Sequence, residues 1–258
     1  MNLALRNASI LPVICLGACL SLASGPAQAD LETALKAAMA AESRPDADRE
    51  RDRNRQPLKT LQFMQLDEDM RVLEIMPGGG WYTQLLAPVL KDKGQLYVAV
   101  GTSRIEEKLL PQPGFEDVEV VAMKGDFKRE DGARRFGISN MSLDVKRIDL
   151  ALTFRNLHNL TEAGRSQMNR AVYKALKPGG LYGVVDHTRR HMAEDTSESW
   201  RRIDPVLVIK EVQAAGFELV DFTDLHHRPD DELIYEVGRK SVSGNTDRFT
   251  LLFRKPKS

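Results

Sequence analysis

Cysteine is nearly missing from this chain. Cys15 and Cys19 are the only two, and both fall within the first 29 of 258 residues. A chain without that segment needs no oxidative folding, risks no mispaired disulfide and has no thiolate to offer as nucleophile or metal ligand. Net charge is missing too, because 37 Lys and Arg balance 37 Asp and Glu. That balance gives no overall electrostatic argument for nucleic acid or an anionic membrane as partner. There is no H-E-x-x-H pattern, no Ser–His–Asp order around a nucleophile elbow and no internal repeat, so zinc-protease and hydrolase chemistry have no support. His187 and His191 are four apart but follow a strand-like run, and His226 and His227 are adjacent. Neither pair has ligand spacing, and no metal is expected. What remains, 42% hydrophobic and 29% charged, is the make-up of an ordinary globular protein.

The longest apolar run, Ile10 to Ala23, is too short for a membrane-spanning helix. Arg6 is the only charge before Asp30, and residues 24–29 (Ser-Gly-Pro-Ala-Gln-Ala) give a helix break and an A-x-A cleavage pattern. Residues 1–29 therefore read as a secretory signal, cleaved after Ala29, with a periplasmic destination for the mature chain. Leu16-Gly-Ala-Cys19 also resembles a lipoprotein box, but apolar Leu20 and Leu22 follow it, and soluble export is the preferred reading.

Residues 30–66 form an N-terminal helical and charged segment, and residues 67–258 the main domain. An amphipathic helix is expected over 30–41, with Leu31, Leu35 and Met39 at helical spacing. The dense mix of charges over 42–57 reads mainly as a solvated face. The alternative is that some of Arg51, Arg53 and Arg55 fold back over a pocket. Beyond it, strand and helix alternate. Strands are expected at 72–76, 95–100, 118–123, 148–153, 181–186, 218–223 and 248–253, and helices at 81–90, 104–110, 162–176 and 204–215. Lys177-Pro-Gly-Gly180 stands where the long helix must stop. The pattern predicts an α/β domain around a mostly parallel sheet, with ligands at the strands' C-terminal ends. The first expected strand runs into Pro77-Gly-Gly-Gly80, the strand–turn–helix geometry in which backbone N–H groups cradle a nucleotide-like ligand. It is not the dinucleotide fingerprint, since Thr83 stands where G-x-G-x-x-G requires glycine. The acidic Glu74 before the turn points to another nucleoside cofactor.

Several blocks in order carry a family resemblance: Val72 to Thr83, Leu152 to Asn159, Leu176 to His187, Arg202 to Pro205, Ala214 to Phe217 and Asn245 to Phe249. On these residues the chain resembles a class I S-adenosylmethionine-dependent methyltransferase, and specifically the exported, predicted-methyltransferase group of bacterial proteins. The resemblance implies a Rossmann-like seven-stranded sheet whose last strand is antiparallel, with S-adenosylmethionine as cofactor. It places Met76, Pro77, Gly78 and Gly80 under the methionine and ribose portions. Glu74 would fix the turn and the cofactor's amino group, and Asp126 would accept from the adenine amine. Phe154 and Asn156, with Arg155 between them, would line the active site.

Two positions depart from the family. Met76 replaces the glycine that opens the turn, and residues 98–101 (Val-Ala-Val-Gly) end the second strand without the usual ribose-binding acid. Glu106 or Glu107 is the nearest substitute. Candidates for a general base are His158, Asp186 and His187. Trp81 reads as core, while Tyr82 remains open between core and ligand stacking. The expected activity is methyl transfer to an unidentified acceptor, a small molecule or otherwise. The rival is an exported, non-catalytic binding protein that kept the fold.

Overall fold

The computed structural model describes residues 26–257. The expected signal lies outside the described residues except for Pro26 to Ala29. Those four form the first turn of α1 (Pro26–Ala40), so the break expected over 24–29 lies no later than Pro26, which can begin a helix because its missing N–H would be unpaired there anyway. Three short helices follow: α2 (Asp46–Arg49), α3 (Asp52–Arg55) and α4 (Pro57–Phe63). The alternating part then runs β1 (Arg71–Ile75), α5 (Thr83–Leu90), β2 (Gln95–Ala99), α6 (Ser103–Lys108) and β3 (Glu119–Val121). Next come β4 (Met123–Lys128), β5 (Gly137–Leu143) and β6 (Ile148–Phe154), then a 3-10 turn over Leu157–Asn159. The chain closes with α7 (Glu162–Ala175), β7 (Leu176–His187), α8 (Pro205–Ala214), β8 (Glu218–Thr223) and β9 (Arg248–Arg254).

Seven strands form one sheet in the order β3-β2-β1-β6-β7-β9-β8. The pairings from β3 through β7 are parallel. β9 inserts antiparallel between β7 and β8. Side chains alternate across this sheet with period two. Leu73 and Ile75 of β1 join α7 and α8 in one core, where Val172 and Val208 are fully buried. Val72 faces the other way, with Leu85 and Leu86 of α5, Leu61 of α4 and Leu35 of α1. The result is a sheet with an apolar core on each face, so its parallel strands are buried on both sides. α1 belongs to the second core through Leu31, Leu35 and Ala38.

Three differences from expectation have physical causes. β4 and β5 form a separate antiparallel pair that the expected strands do not include, because the alternation of β4 rests on two half-buried residues, Met123 and Phe127, with Gly125 between them. Lys177 to Gly180 does not sit in a loop: β7 already pairs Leu176 with Ile148 and resumes at Leu181 with Leu150, so these residues bulge within the strand. The charged segment over 42–57 is not simply solvated, since Arg44 and Arg55 are 1% and 5% exposed.

Candidate active site

The alternation that faces Leu73 and Ile75 toward α7 turns Glu74 toward α5. There it is buried, and its Oε2 accepts from Thr83 Oγ1 at 2.6 Å. Burial raises its pKa to about 7, against the smaller pull of the Thr83 hydrogen bond and the Arg55 charge. Glu74 thus ties β1 to the start of the helix after the glycine turn.

Three strands end in the same unusual way. Met76, Val100 and Arg155 follow β1, β2 and β6, with φ of 55°, 68° and 63°. This left-handed conformation costs a side-chain-bearing residue about 1 kcal/mol or more. Met76 N–H still bonds Ala99 O at 2.9 Å and Arg155 N–H bonds Val185 O at 2.7 Å, so each chain turns sharply after its last ladder bond. The Asn156 amide braces the first of these turns, donating to Ile75 O at 3.1 Å and Met76 O at 3.0 Å.

In the glycine turn Pro77 and Gly80 are buried, and Gly78 and Gly79 are exposed. Gly80 has φ +80°, and a Cβ there would meet Leu109 Cδ2 at 2.3 Å. Gly78 and Gly101 also have positive φ, and nothing lies within 4 Å of a Cβ added to either. Open space therefore stands above the ends of β1 and β2, where the backbone is exposed for a ligand's close approach. That backbone arrangement fits a nucleoside cofactor. Glu106 lies in the first turn of α6 and accepts from Thr102 Oγ1 at 2.5 Å. Asp126 is exposed in β4, the strand that follows β3 in the chain, with Oδ2 accepting from Ser139 Oγ at 3.0 Å. Phe154 stacks on Tyr82, centroids 3.5 Å apart. Tyr82 and Trp81 are both buried.

His158, Asp186 and His187 come together at the ends of β6 and β7. Asp186 is fully buried. Its Oδ2 accepts the His158 backbone N–H at 3.1 Å, and its Oδ1 accepts the His187 backbone N–H at 2.7 Å. Oδ1 also meets His158 Nδ1 at 2.5 Å. Both carboxyl oxygens already accept backbone N–H groups, so Asp186 is the acceptor of this contact and His158 the donor through Nδ1. The Nε2 lone pair is then free, with no hydrogen-bond partner among the described residues. His187 Nδ1 pairs with Thr246 Oγ1 at 2.9 Å. Burial, reinforced by Arg248, His158 and Arg155, holds its pKa well below the usual histidine value, so His187 is neutral.

His158 and His187 both line a cavity of about 580 Å³, walled otherwise by Arg51, Arg53, Arg55, Arg155, Arg201 and Arg248 among others. A second cavity, about 510 Å³, reaches His158 from the side of Arg135 and Arg165. Sequence reasoning raised Arg55 only as an alternative and gave Arg248 no role. Its one signal was position: Arg155 and Arg248 lie within matched blocks, Arg55 within the arginine-dense segment. Among the described residues, no group of three or more His, Cys, Asp and Glu could hold a metal ion.

No family model and no curated protein matches this chain. Solved structures do. A SAM-dependent methyltransferase from Aquifex aeolicus is 17% identical, with 77% of this chain and 89% of that one covered and a TM-score of 0.54. The cyclase SpnF is 18% identical over 89% of this chain and 94% of that one, TM-score 0.55. A putative methyltransferase, solved in complex with the Haloferax volcanii Trm112 methyltransferase activator, is 13% identical over 86% and 97%, TM-score 0.53. At these identities the likeness establishes the fold: this is the Rossmann-like methyltransferase fold.

Proposed function

We propose that the protein is an S-adenosylmethionine-dependent methyltransferase, exported to the periplasm, that acts on a proton-bearing acceptor. The observation that carries this reading is the gathering of Asp186, His158 and His187 at the ends of β6 and β7, one strand from the open glycine turn. Pro77, Gly78 and Gly80 would hold the cofactor along the backbone, with Asn156 keeping the turn in shape. Bound there, S-adenosylmethionine supplies a methyl group already activated by its sulfonium, so the protein's tasks are positioning and proton removal. His158 Nε2 takes the acceptor's proton, and Asp186 fixes the tautomer and stabilises the imidazolium that forms. His187, neutral and tied to Thr246, shapes the wall beside it without adding charge.

The second reading is a non-catalytic binding protein with the same fold. Met76 in the glycine position and the acid-free end of β2 favour it. The cyclase among the structural neighbours also means that the fold alone does not decide the chemistry.

Calorimetric titration of the purified, folded protein with S-adenosylmethionine and S-adenosylhomocysteine separates the two. The proposal expects saturable heat for both, and no heat from a protein with intact circular dichroism would sink it. Export predicts a mature chain beginning at Asp30 by intact-mass spectrometry; a diacylated Cys19 would overturn the soluble form, and an unprocessed chain would overturn export itself.

A further inference from the structure

Several buried arginines in this protein have carboxylate partners. Arg202 and Asp231, both 0% exposed at the side chain, form a two-pronged pair at 2.9 and 3.0 Å. Arg44 grips Asp52, and Arg165 grips Glu211 at 2.6 and 2.7 Å. Three arginines of the larger cavity that are turned in from solvent break this pattern, whereas Arg53, also without an ion pair among the described residues, is exposed. Among the described residues, Arg55, Arg155 and Arg248 have no ion pair. Arg55 lies over the Trp81 ring, its Cζ 4.2 Å from the centroid, and its Nη2 is a buried donor without an acceptor. Arg248 is 7% exposed and reaches only the Asn54 carbonyl, at 3.2 Å, while its Nε is likewise buried and unpaired. Arg155, partly exposed, hangs from a left-handed turn, and no side-chain hydrogen bond engages it.

The surrounding charges make the arrangement costlier. Burial and then the Arg155 and Arg51 charges lower the pKa of Arg55 to about 8, and burial and Arg155 lower that of Arg248 to about 10. The guanidinium group nevertheless keeps its proton near neutral pH. Nearby acids are spoken for or out in solvent: Asp186 holds His158, Glu74 accepts from Thr83, Glu236 holds Arg201, and Glu50 is exposed. Buried charge without a counter-charge is strongly unfavourable, and a fold that keeps three such groups on one wall leaves room for the missing anion. Planar guanidinium forks match the oxygens of phosphoryl and carboxylate groups.

We propose that this cavity binds a compact dianion, a phosphoryl group or a pair of carboxylates carried by the acceptor, gripped by Arg55, Arg155 and Arg248. The acceptor assignment rests on the methyltransferase reading; the anion site itself does not. With the anion held at the arginines, the rest of a small molecule extends along the same cavity toward His158 and His187. An aliphatic or neutral polar acceptor would leave the three charges unmet.

The test uses the full chain, titrated with inorganic phosphate and with malonate against sodium chloride at matched ionic strength, followed by calorimetry and thermal unfolding. Phosphate or malonate should raise Tm in a saturable way that chloride does not, and the stronger of the two identifies the anion. Arg155→Gln and Arg248→Gln should each weaken binding about tenfold or more, the scale of a lost charged hydrogen bond. Without anion, Arg155→Gln should be at least as heat-stable as the parent, because it removes an unmet charge; a purely structural arginine would give the opposite. Equal effects of phosphate, malonate and chloride, or undiminished binding in both variants, would overturn the site. S-adenosylhomocysteine titrated with and without phosphate fixes the role. Unchanged or tighter binding supports the acceptor, whereas competition assigns the arginines to the cofactor's own carboxylate and overturns it. Phosphate binding without any S-adenosylhomocysteine binding ends the methyltransferase reading, and the acceptor role with it, but leaves the anion site standing.

Discussion

Glu74 is 3% exposed, and its raised pKa links a single side chain to the pH dependence of folding. Its folded pKa, about 7, lies above the unfolded value of 4.5. Its proton-linked stabilisation is therefore complete below the lower value and is lost as pH rises through the upper one. The size is on the order of 3 kcal/mol. Glu74→Gln keeps an acceptor for Thr83 but cannot titrate. Relative to the parent it should gain stability as pH rises, by about that amount, in urea denaturation at a series of pH values. Parallel profiles for the two proteins would exclude the assignment. His226 works in the other direction: buried, its pKa falls from 6.5 to about 4. Its contribution is present above the unfolded value and lost as pH falls through the folded one, and this acid-side loss should persist in the variant. The sequence placed Glu74 beside the turn through the motif, yet its burial depends on α5 packing over β1, which no local pattern reveals.

The β4–β5 hairpin shows how a single glycine sets an element. Gly125 has φ +112°, and a Cβ there would lie 2.4 Å from Ser139 O and 2.7 Å from Asn140 O. Register shifts at this point, between Lys124 and Asp126. Gly125→Ala meets both a forbidden conformation and immovable backbone, so about 2 kcal/mol or more of local stability should be lost. Hydrogen exchange should show it as deprotection across β4 and β5 that spares β1 and β6. Uniform protection in the variant would contradict the bulge. The central sheet strands were legible because buried parallel strands read as apolar runs: the expected 148–153 falls one residue short of the observed β6, which is parallel to both neighbours. The hairpin was not, since β4 reads Met-Lys-Gly-Asp-Phe-Lys and packs only Met123 and Phe127, both half-buried, against the core. Lys177 to Gly180 does follow the end of α7 at Ala175, as expected, but within β7 as a bulge, which proline and glycine mark as readily as a loop.

At the scale of the whole molecule, residues 42–57 form a strap that carries Arg51, Arg53 and Arg55 to the cavity. Its anchor is Arg44, which grips Asp52 through bonds of 2.9 and 2.8 Å and bonds Met39 O at 2.8 Å. Asp52→Asn removes the counter-charge of a buried guanidinium, at a cost of about 3 kcal/mol. The variant should be cleaved faster by trypsin within the strap and should bind phosphate more weakly, although Asp52 does not line the cavity. Unchanged cleavage and unchanged phosphate affinity would show that the strap is held by other contacts. The composition of this segment suggested solvation, and the sequence had no way to say which arginines turn inward. That choice is made by Trp81, whose ring seats Arg55 and whose Nε1 donates to Asp48 O at 3.1 Å.

The far side of the strap is fastened to the other end of the chain. Arg248 bonds the carbonyl of Asn54, 194 residues away, and His226 meets the carbonyl of Arg55, 171 residues away. Contacts of such separation form slowly, because the intervening loop must be closed first. During synthesis, N-terminus first, Asn54 and Arg55 emerge long before Arg248 and His226. Until β9 arrives, the cavity has Arg55, Arg155, His158 and His187 but lacks Arg248, and both cores lack the side chains of that strand. The arginine set of the cavity is thus completed only by the last strand, so a chain that lacks β9 lacks one of the three groups proposed to grip an anion.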